Sequence, residues 1–180
     1  YGGMLLPNST IVLKDMKSLY DEKISGTKMF TGEMNNRSDS NAYTRFGPSH
    51  KLLGCVKGCD SMKDLSEHLE ILISKDNTDQ PNFEGNVNRY LRKLMSEGKC
   101  NIICGKGLGT KNKKNEVVLI DQLLEESPLG LCMCSLYCII LPDEEILSRT
   151  KYQWFARLSP KQVLLGNTQA SKFFIISRNK

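Results

Sequence analysis

The stretch LLGCVKGCDSMKDLSEHLEILI, residues 52–73, changes its periodicity midway, and that change decides the fold class. Leu52 to Val56 is a short apolar run of strand length. Gly58-Cys59-Asp60-Ser61 then supplies turn and N-cap residues, whose short polar side chains accept hydrogen bonds from the orphan amides of a first helical turn. Beyond it Met62, Leu65, His68, Leu69, Leu72 and Ile73 recur at helical spacing and give one apolar face. A strand feeding an amphipathic helix is a unit of mixed architecture.

Downstream, Asp76 to Pro81 breaks the pattern, and a second helix is expected from Phe83 to Glu97, with Val87, Tyr90, Leu91, Leu94 and Met95 inward and Gly98 as its stop. Cys100–Cys104 and Glu116–Ile120 are apolar runs flanking a glycine- and lysine-rich segment, which suits a long β-hairpin with a basic tip. Leu131 to Leu141 reads as a buried strand or short helix ended by Pro142-Asp143. The breaker Ser159-Pro160 and a closing strand from Lys172 to Ser177 complete the chain. Upstream, Ser9 to Lys14 reads as a strand, residues 15–24 are mixed, and residues 33–49 have the polar composition of a loop or short irregular strands. The expected fold is α+β: an antiparallel sheet packed on two main helices, plus the long basic hairpin. Residues 1–158 are expected to form one domain, and residues 159–180 a linker strand leading to the next domain of a longer parent chain.

The totals limit what such a domain can be. With 180 residues, 39% of them apolar, the chain can bury one good core. A formal charge of +5 tilts it towards an anionic partner such as RNA, phosphate or an acidic peptide. Seven cysteines are an odd number, without a signal peptide or an apolar run of membrane length, and read as free thiols in a reducing compartment. No membrane association is expected. The triplets Asn8-Ser9-Thr10 and Asn36-Arg37-Ser38 match a glycosylation pattern, for which chance is the better account. The start at Tyr1-Gly2-Gly3 reads as a piece of a longer polypeptide.

Catalytic and metal chemistry find little support. Gly105 to Thr110 lacks both the helix-opening glycine of a dinucleotide fingerprint and the spacing of a P-loop. Its lysines, Lys106, Lys111, Lys113 and Lys114, read either as a solvated hairpin tip or as a contact for RNA or another subunit. The cysteines Cys55, Cys59, Cys100, Cys104, Cys132, Cys134 and Cys138 lack a repeated pair with two intervening residues, so no metal site is expected. Of two histidines, His68 falls beside an apolar helix face and reads as a half-buried imidazole, while His50 stays open. Glu125-Glu126 and Asp143-Glu144-Glu145 look like solvated charges at helix ends. No cofactor is expected, and the chain reads as a binding module without catalytic residues. Aromatic and basic residues do mix in Tyr43-Thr44-Arg45-Phe46 and His50-Lys51, where stacking rings backed by cations could grip a base; rings tucked onto the core are the plainer alternative. Lys151 to Arg157 is similar, its lone Trp154 reading as a core anchor.

The order of these features resembles the cap-binding middle region of polymerase basic protein two, a subunit of orthomyxovirus (influenza-like) RNA polymerases. The resemblance spans nearly the whole chain. It rests on collinear short motifs: an aromatic before Gly2-Gly3, Thr31-Gly32, Asn82-Phe83 leading to Leu91-Arg92, Leu141-Pro142-Asp143, Arg157-Leu158-Ser159, and the run Phe173 to Arg178. It implies a compact α+β domain that holds the 7-methylguanosine cap of host messenger RNA between two rings, with a carboxylate reading the base edge and basic groups on the phosphates. Cutting the capped RNA for use as a primer, and RNA synthesis, belong to other subunits. Implied partners are capped RNA or a cap analogue, the other viral polymerase subunits and nucleoprotein, and the implied location is the host nucleus.

Residue by residue, the first family aromatic falls at or before Tyr1, a family Phe of the first helix is replaced by Ile73, a family His falls near Asn88, and Asn86 lies close to a family Asn. Glu33, Tyr43, Arg45, Phe46 and His50 are the remaining cap candidates, by chemistry alone. An alternative resemblance is to the SPOC domain, a phosphopeptide-binding interaction module of transcription regulators. Its first strand is echoed by Phe30, Gly32 and Met34, and its helix-to-strand passage by Asn82–Ile103 followed by Glu116–Ile120. The Trp usual near Phe30 is absent, and the C-terminal third has no counterpart there.

Overall fold

The computed structural model describes residues 1–35, 46–75 and 82–179. In chain order the first elements are β1 (Gly3–Leu5), β2 (Thr10–Val12), α1 (Met16–Thr27), β3 (Met29–Asn35), β4 (Phe46–Cys55), α2 (Asp60–Ser74), α3 (Asn82–Ser96) and β5 (Asn101–Ile103). There follow α4 (Ile120–Leu124), β6 (Cys138–Ile140), α5 (Asp143–Ser148), α6 (Gln153–Ala156), α7 (Pro160–Leu165) and α8 (Gln169–Arg178). The fold is α+β. It divides into two compact units, the first of residues 1–7 and 16–105, the second of residues 8–15 and 106–180.

Unit 1 is a four-stranded sheet in the order β1-β4-β3-β5, antiparallel except for the parallel pair β3 and β5. Met29, Cys55, Leu65, Leu72, Val87, Leu91 and Leu94 form its core with the helices α2 and α3. The opposite residue of β3, Phe30, meets α1: its ring packs edge-on against Tyr20, and the Tyr20 hydroxyl donates to the Cys55 carbonyl at 2.8 Å. Gly54, paired with Phe30 across the strands, makes this possible, because a Cβ there would lie 2.1 Å from the Phe30 Cζ. Helix α3 ends as expected at Gly98 (φ +69), where the amides of Lys99 and Gly98 return to the carbonyls of Leu94 and Met95 in a Schellman closure.

Within β3 and β4 the register shifts. Thr31 pairs with Leu53 and Gly32 with Ser49, so His50, Lys51 and Leu52 have no counterpart on β3. The Thr31 side chain pins this bulge, donating to the Ser49 carbonyl at 2.8 Å and accepting from the Ser49 amide at 3.2 Å. Bulges bend a strand and re-aim its side chains, and this one presents His50 to α3.

Several expectations are corrected in unit 1. Residues 16–27 form a helix, which a mixed sequence burying only Leu19 on its own face did not reveal. Ile73 is 57% exposed rather than inward, since the buried line of α2 runs through Ser61, Leu65 and Leu72. Helix α2 starts on Cys59 with no side-chain cap, and Ser61 bonds instead to the Lys99 carbonyl. The long hairpin does not form. Asn101–Ile103 pairs in parallel with β3, and the division between the units falls at Gly105/Lys106, inside the glycine run.

Unit 2 is built on the antiparallel pair β2 and β6, with Ile11, Leu13, Val118, Ile120, Leu123, Leu136, Ile139, Phe155 and Phe173 in its core. The second half of the expected hairpin contributes only the isolated bridge Lys111–Val117 and then helix α4. The basic tip is a tight turn: the Asn112 side chain accepts from the amides of Lys114 and Glu116, each at 2.9 Å, and its own amide donates to the Glu116 carbonyl. Within residues 159–180, expected as a linker strand, Pro160–Leu165 and Gln169–Arg178 are the helices α7 and α8. Ser159-Pro160 opens a helix because the serine caps Gln162 and proline suits the first helical position. Phe173 to Ile176 is helical: Phe173 joins Ala170 in the core, Phe174 packs against it, and Ile175 and Ile176 turn outward. The expected anchor Trp154 is 45% exposed, and its neighbours Tyr152 and Phe155 are the buried rings.

Candidate functional site

The polar residues Glu84, Asn88 and Arg92 stand four apart on α3 and so form one line along the helix, beside its apolar face. Asn88 meets the bulge of β4. Its Oδ1 accepts from the His50 backbone amide at 3.1 Å and lies 3.1 Å from His50 Nδ1. A backbone amide can only donate, so the facing atom is the oxygen, and Nδ1 must therefore carry a hydrogen. In the neutral ring this leaves Nε2 as the acceptor. The Glu84 carboxylate sits 4.0 Å from that nitrogen, with the His50 side chain 28% and the Glu84 side chain 31% exposed. One turn beyond Asn88, Arg92 crosses the backbone of β4 at Gly47, where a Cβ would lie 2.5 Å from the guanidinium Nη2. The site thus presents an oriented imidazole, a carboxylate and a guanidinium on one line.

Of the cap candidates, His50 and Asn88 are brought together. Phe46 is half-buried on the same strand, but four extended residues separate it from His50 by roughly 13 Å, too far for the two rings to sandwich one base. Glu33 accepts from the Gly105 amide at 2.8 Å and has a local bonding role. Asn86 is about 200° around α3 from Asn88 and bonds Arg89 on the exposed side. Tyr1 is fully exposed beyond the Cys55 end of β4, roughly 20 Å along the strand from His50. Tyr43 and Arg45 lie outside the described residues. Lys106, Lys111, Lys113 and Lys114 belong to unit 2. Glu84 and Arg92 were missed by sequence reasoning; the four-residue spacing through Asn88 was the available signal.

The second histidine has a different setting. His68 is half-buried and stacks on Tyr90, with ring centroids 4.1 Å apart and planes inclined by 10°. Desolvation, and then the Lys93 charge, hold its pKa below the ordinary histidine value. The cysteines are all unpaired: Cys55, Cys59, Cys100 and Cys138 are buried, Cys104 and Cys134 exposed, and Cys132 intermediate. Burial pushes the Cys100 and Cys138 thiols up to about 12, while the Ser135 hydroxyl and amide lower that of Cys132. Among the described residues no group of three or more His, Cys, Asp and Glu side chains could hold a metal ion. No described helix is long and apolar enough to cross a membrane.

No protein-family model, curated protein or solved structure matches this chain.

Proposed function

We propose that unit 1 is an RNA cap-binding module that holds a 7-methylguanosine against the His50 ring, between Glu84 and Arg92 of α3. The observation that carries this reading is the fixed imidazole. Asn88 bonds both the His50 backbone and its ring, so an aromatic face stands pre-oriented beside a carboxylate and a guanidinium. N7-methylation makes guanine cationic, and a cationic ring stacks favourably on an aromatic face. The Watson–Crick edge of guanine offers N–H donors that a carboxylate accepts, the role assigned to Glu84. Arg92 provides the charge for the phosphate chain. Phe46, along the same strand, stays in the site as a neighbour of the phosphates rather than as the partner ring of a sandwich. In this reading the chain binds capped RNA as part of a viral polymerase that takes primers from host transcripts, and it makes or breaks no bond itself.

Titration of the full chain with 7-methyl-GTP and with GTP tests this directly. The methylated nucleotide is expected to bind more tightly, and His50→Ala to remove about 1–3 kcal/mol of that binding. Equal affinity for the two nucleotides would sink the proposal. Binding of a phosphoserine peptide without any response to 7-methyl-GTP would assign the site to phosphopeptide recognition instead.

A further inference from the structure

Three of the four lysines singled out in the sequence, Lys106, Lys113 and Lys114, lie in unit 2 beside the loop of residues 130–137, together with Lys14 from a distant segment. The Lys113 amide donates to the Gly130 carbonyl, and the Tyr137 amide to the Gly107 carbonyl next to Lys106. From β2, the Lys14 amide bonds the Tyr137 carbonyl, its ammonium donates to the Cys134 carbonyl, and the same ammonium lies 5.5 Å from the centre of the Tyr137 ring. Lys14, Lys106, Lys113 and Lys114 thus border one loop, with the half-exposed Tyr137 among them. Lys106, Lys113 and Lys114 have no carboxylate partner among the described residues. The nearest acid on the turn, Glu116, is engaged by the Asn112 side chain at 2.7 Å.

We infer that this surface is a second contact for single-stranded RNA, binding the phosphate backbone without reading sequence. All its cations are lysines. A lysine is a compact point charge that binds phosphate oxygens without demanding one fixed geometry, as backbone contact independent of sequence requires. An aromatic ring among the cations adds a face on which any base can stack, which an acidic peptide would not use. The Asn112-locked turn holds Lys113 and Lys114 at fixed backbone positions, so binding does not have to order the loop first. The inference does not depend on the cap-binding proposal, because it concerns RNA without a cap and a different unit of the chain.

Fluorescence anisotropy of the full chain with a labelled, uncapped oligouridine, from 0.05 to 0.2 M salt, tests it. Each phosphate contact to single-stranded RNA contributes a salt slope of about −0.7, so losing two contacts removes about 1.4 from the slope and weakens binding on the order of 25-fold at 0.1 M salt. That loss is expected for the double variant Lys113→Ala/Lys114→Ala, whose side chains are exposed. Lys161→Ala, an exposed lysine of α7, should leave binding unchanged, and Tyr137→Leu should weaken it without altering the salt slope. Two results would overturn the inference: a double variant that binds like Lys161→Ala, or polyglutamate competing as effectively as RNA at equal charge, which assigns the surface to an acidic protein. Failure of the nucleotide titration above leaves all these outcomes readable, since the probe carries no cap.

Discussion

Replacing Gly54 by alanine adds one carbon atom where unit 1 has no space for it. The new Cβ would lie 2.1, 2.5 and 2.7 Å from three atoms of the Phe30 ring, against the 3.5–4.0 Å or so of a favourable carbon contact. The ring cannot simply withdraw, because Phe30 is completely buried and its far side packs on Tyr20 at 5.9 Å between centroids. Either β4 moves away from β3 or the Phe30 ring leaves its rotamer. Overpacking of this kind costs about 1–3 kcal/mol, and losing the edge-on contact to Tyr20 adds about 0.5–1.5 kcal/mol. A loss of about 3 kcal/mol follows. With a urea slope of about 2 kcal/mol/M, the midpoint of unit 1 should fall by roughly 1.5 M. The single tryptophan, Trp154, belongs to unit 2, so a probe inside unit 1 is needed. Amide hydrogen exchange at Phe30 and Thr31, both fully buried on β3, supplies it. Phe30→Leu in the Gly54→Ala background should recover part of the loss, since the two side chains compete for one volume. A Gly54→Ala protein within about 0.5 kcal/mol of the parent at these amides would refute the packing argument.

Asn88→Ala leaves the half-buried His50 amide without its acceptor and should destabilise unit 1 by about 1–2 kcal/mol, measurable by the same exchange experiment. Asn88→Asp keeps both acceptor contacts and should preserve the local structure. The depressed pKa of His68 has a definite sign. The folded ring binds its proton less tightly than the unfolded one, so its contribution to stability is complete above the ordinary histidine pKa of about 6.5 and is lost as pH falls below it. Urea midpoints measured between pH 8 and 5 should therefore fall less steeply for His68→Gln than for the parent. Thiol labelling of the native chain should modify Cys104 and Cys134, with Cys132 reacting at lower pH than an ordinary thiol, while Cys55, Cys59, Cys100 and Cys138 react only on unfolding. Modification of Cys138 in the folded chain would contradict its burial. Gly98→Ala forces a side chain into a positive-φ closure with no steric neighbour, and should cost about 1 kcal/mol by strain alone.

Local patterns determined a definite part of this protein. The 3.6-residue period of Met62–Leu72 and Val87–Leu94, and the stop at Gly98, located α2 and α3 within a residue or two, because each helix buries a single face that the chain itself spells out. Composition pointed to free thiols, residue chemistry put His50 among the candidates, and the family resemblance added Asn88, before any contact was visible. The elements misread were those whose state depends on partners distant in sequence. Asn101–Ile103 is apolar enough for a hairpin but pairs in parallel with β3, and Lys172–Ser177 suits a strand until the core of unit 2 meets only one of its sides. The candidate site is tertiary in the same sense. A register shift pinned by Thr31 aims His50 at a helix more than thirty residues away, and only the packing of α3 on β4 adds Glu84 and Arg92 to it. Likewise Lys14 joins the lysines of the Asn112 turn only because β2 pairs with β6. Sequence period records which face a segment buries; which segments supply the partners for that face is set by closing long loops around a common core, and no local window contains that information.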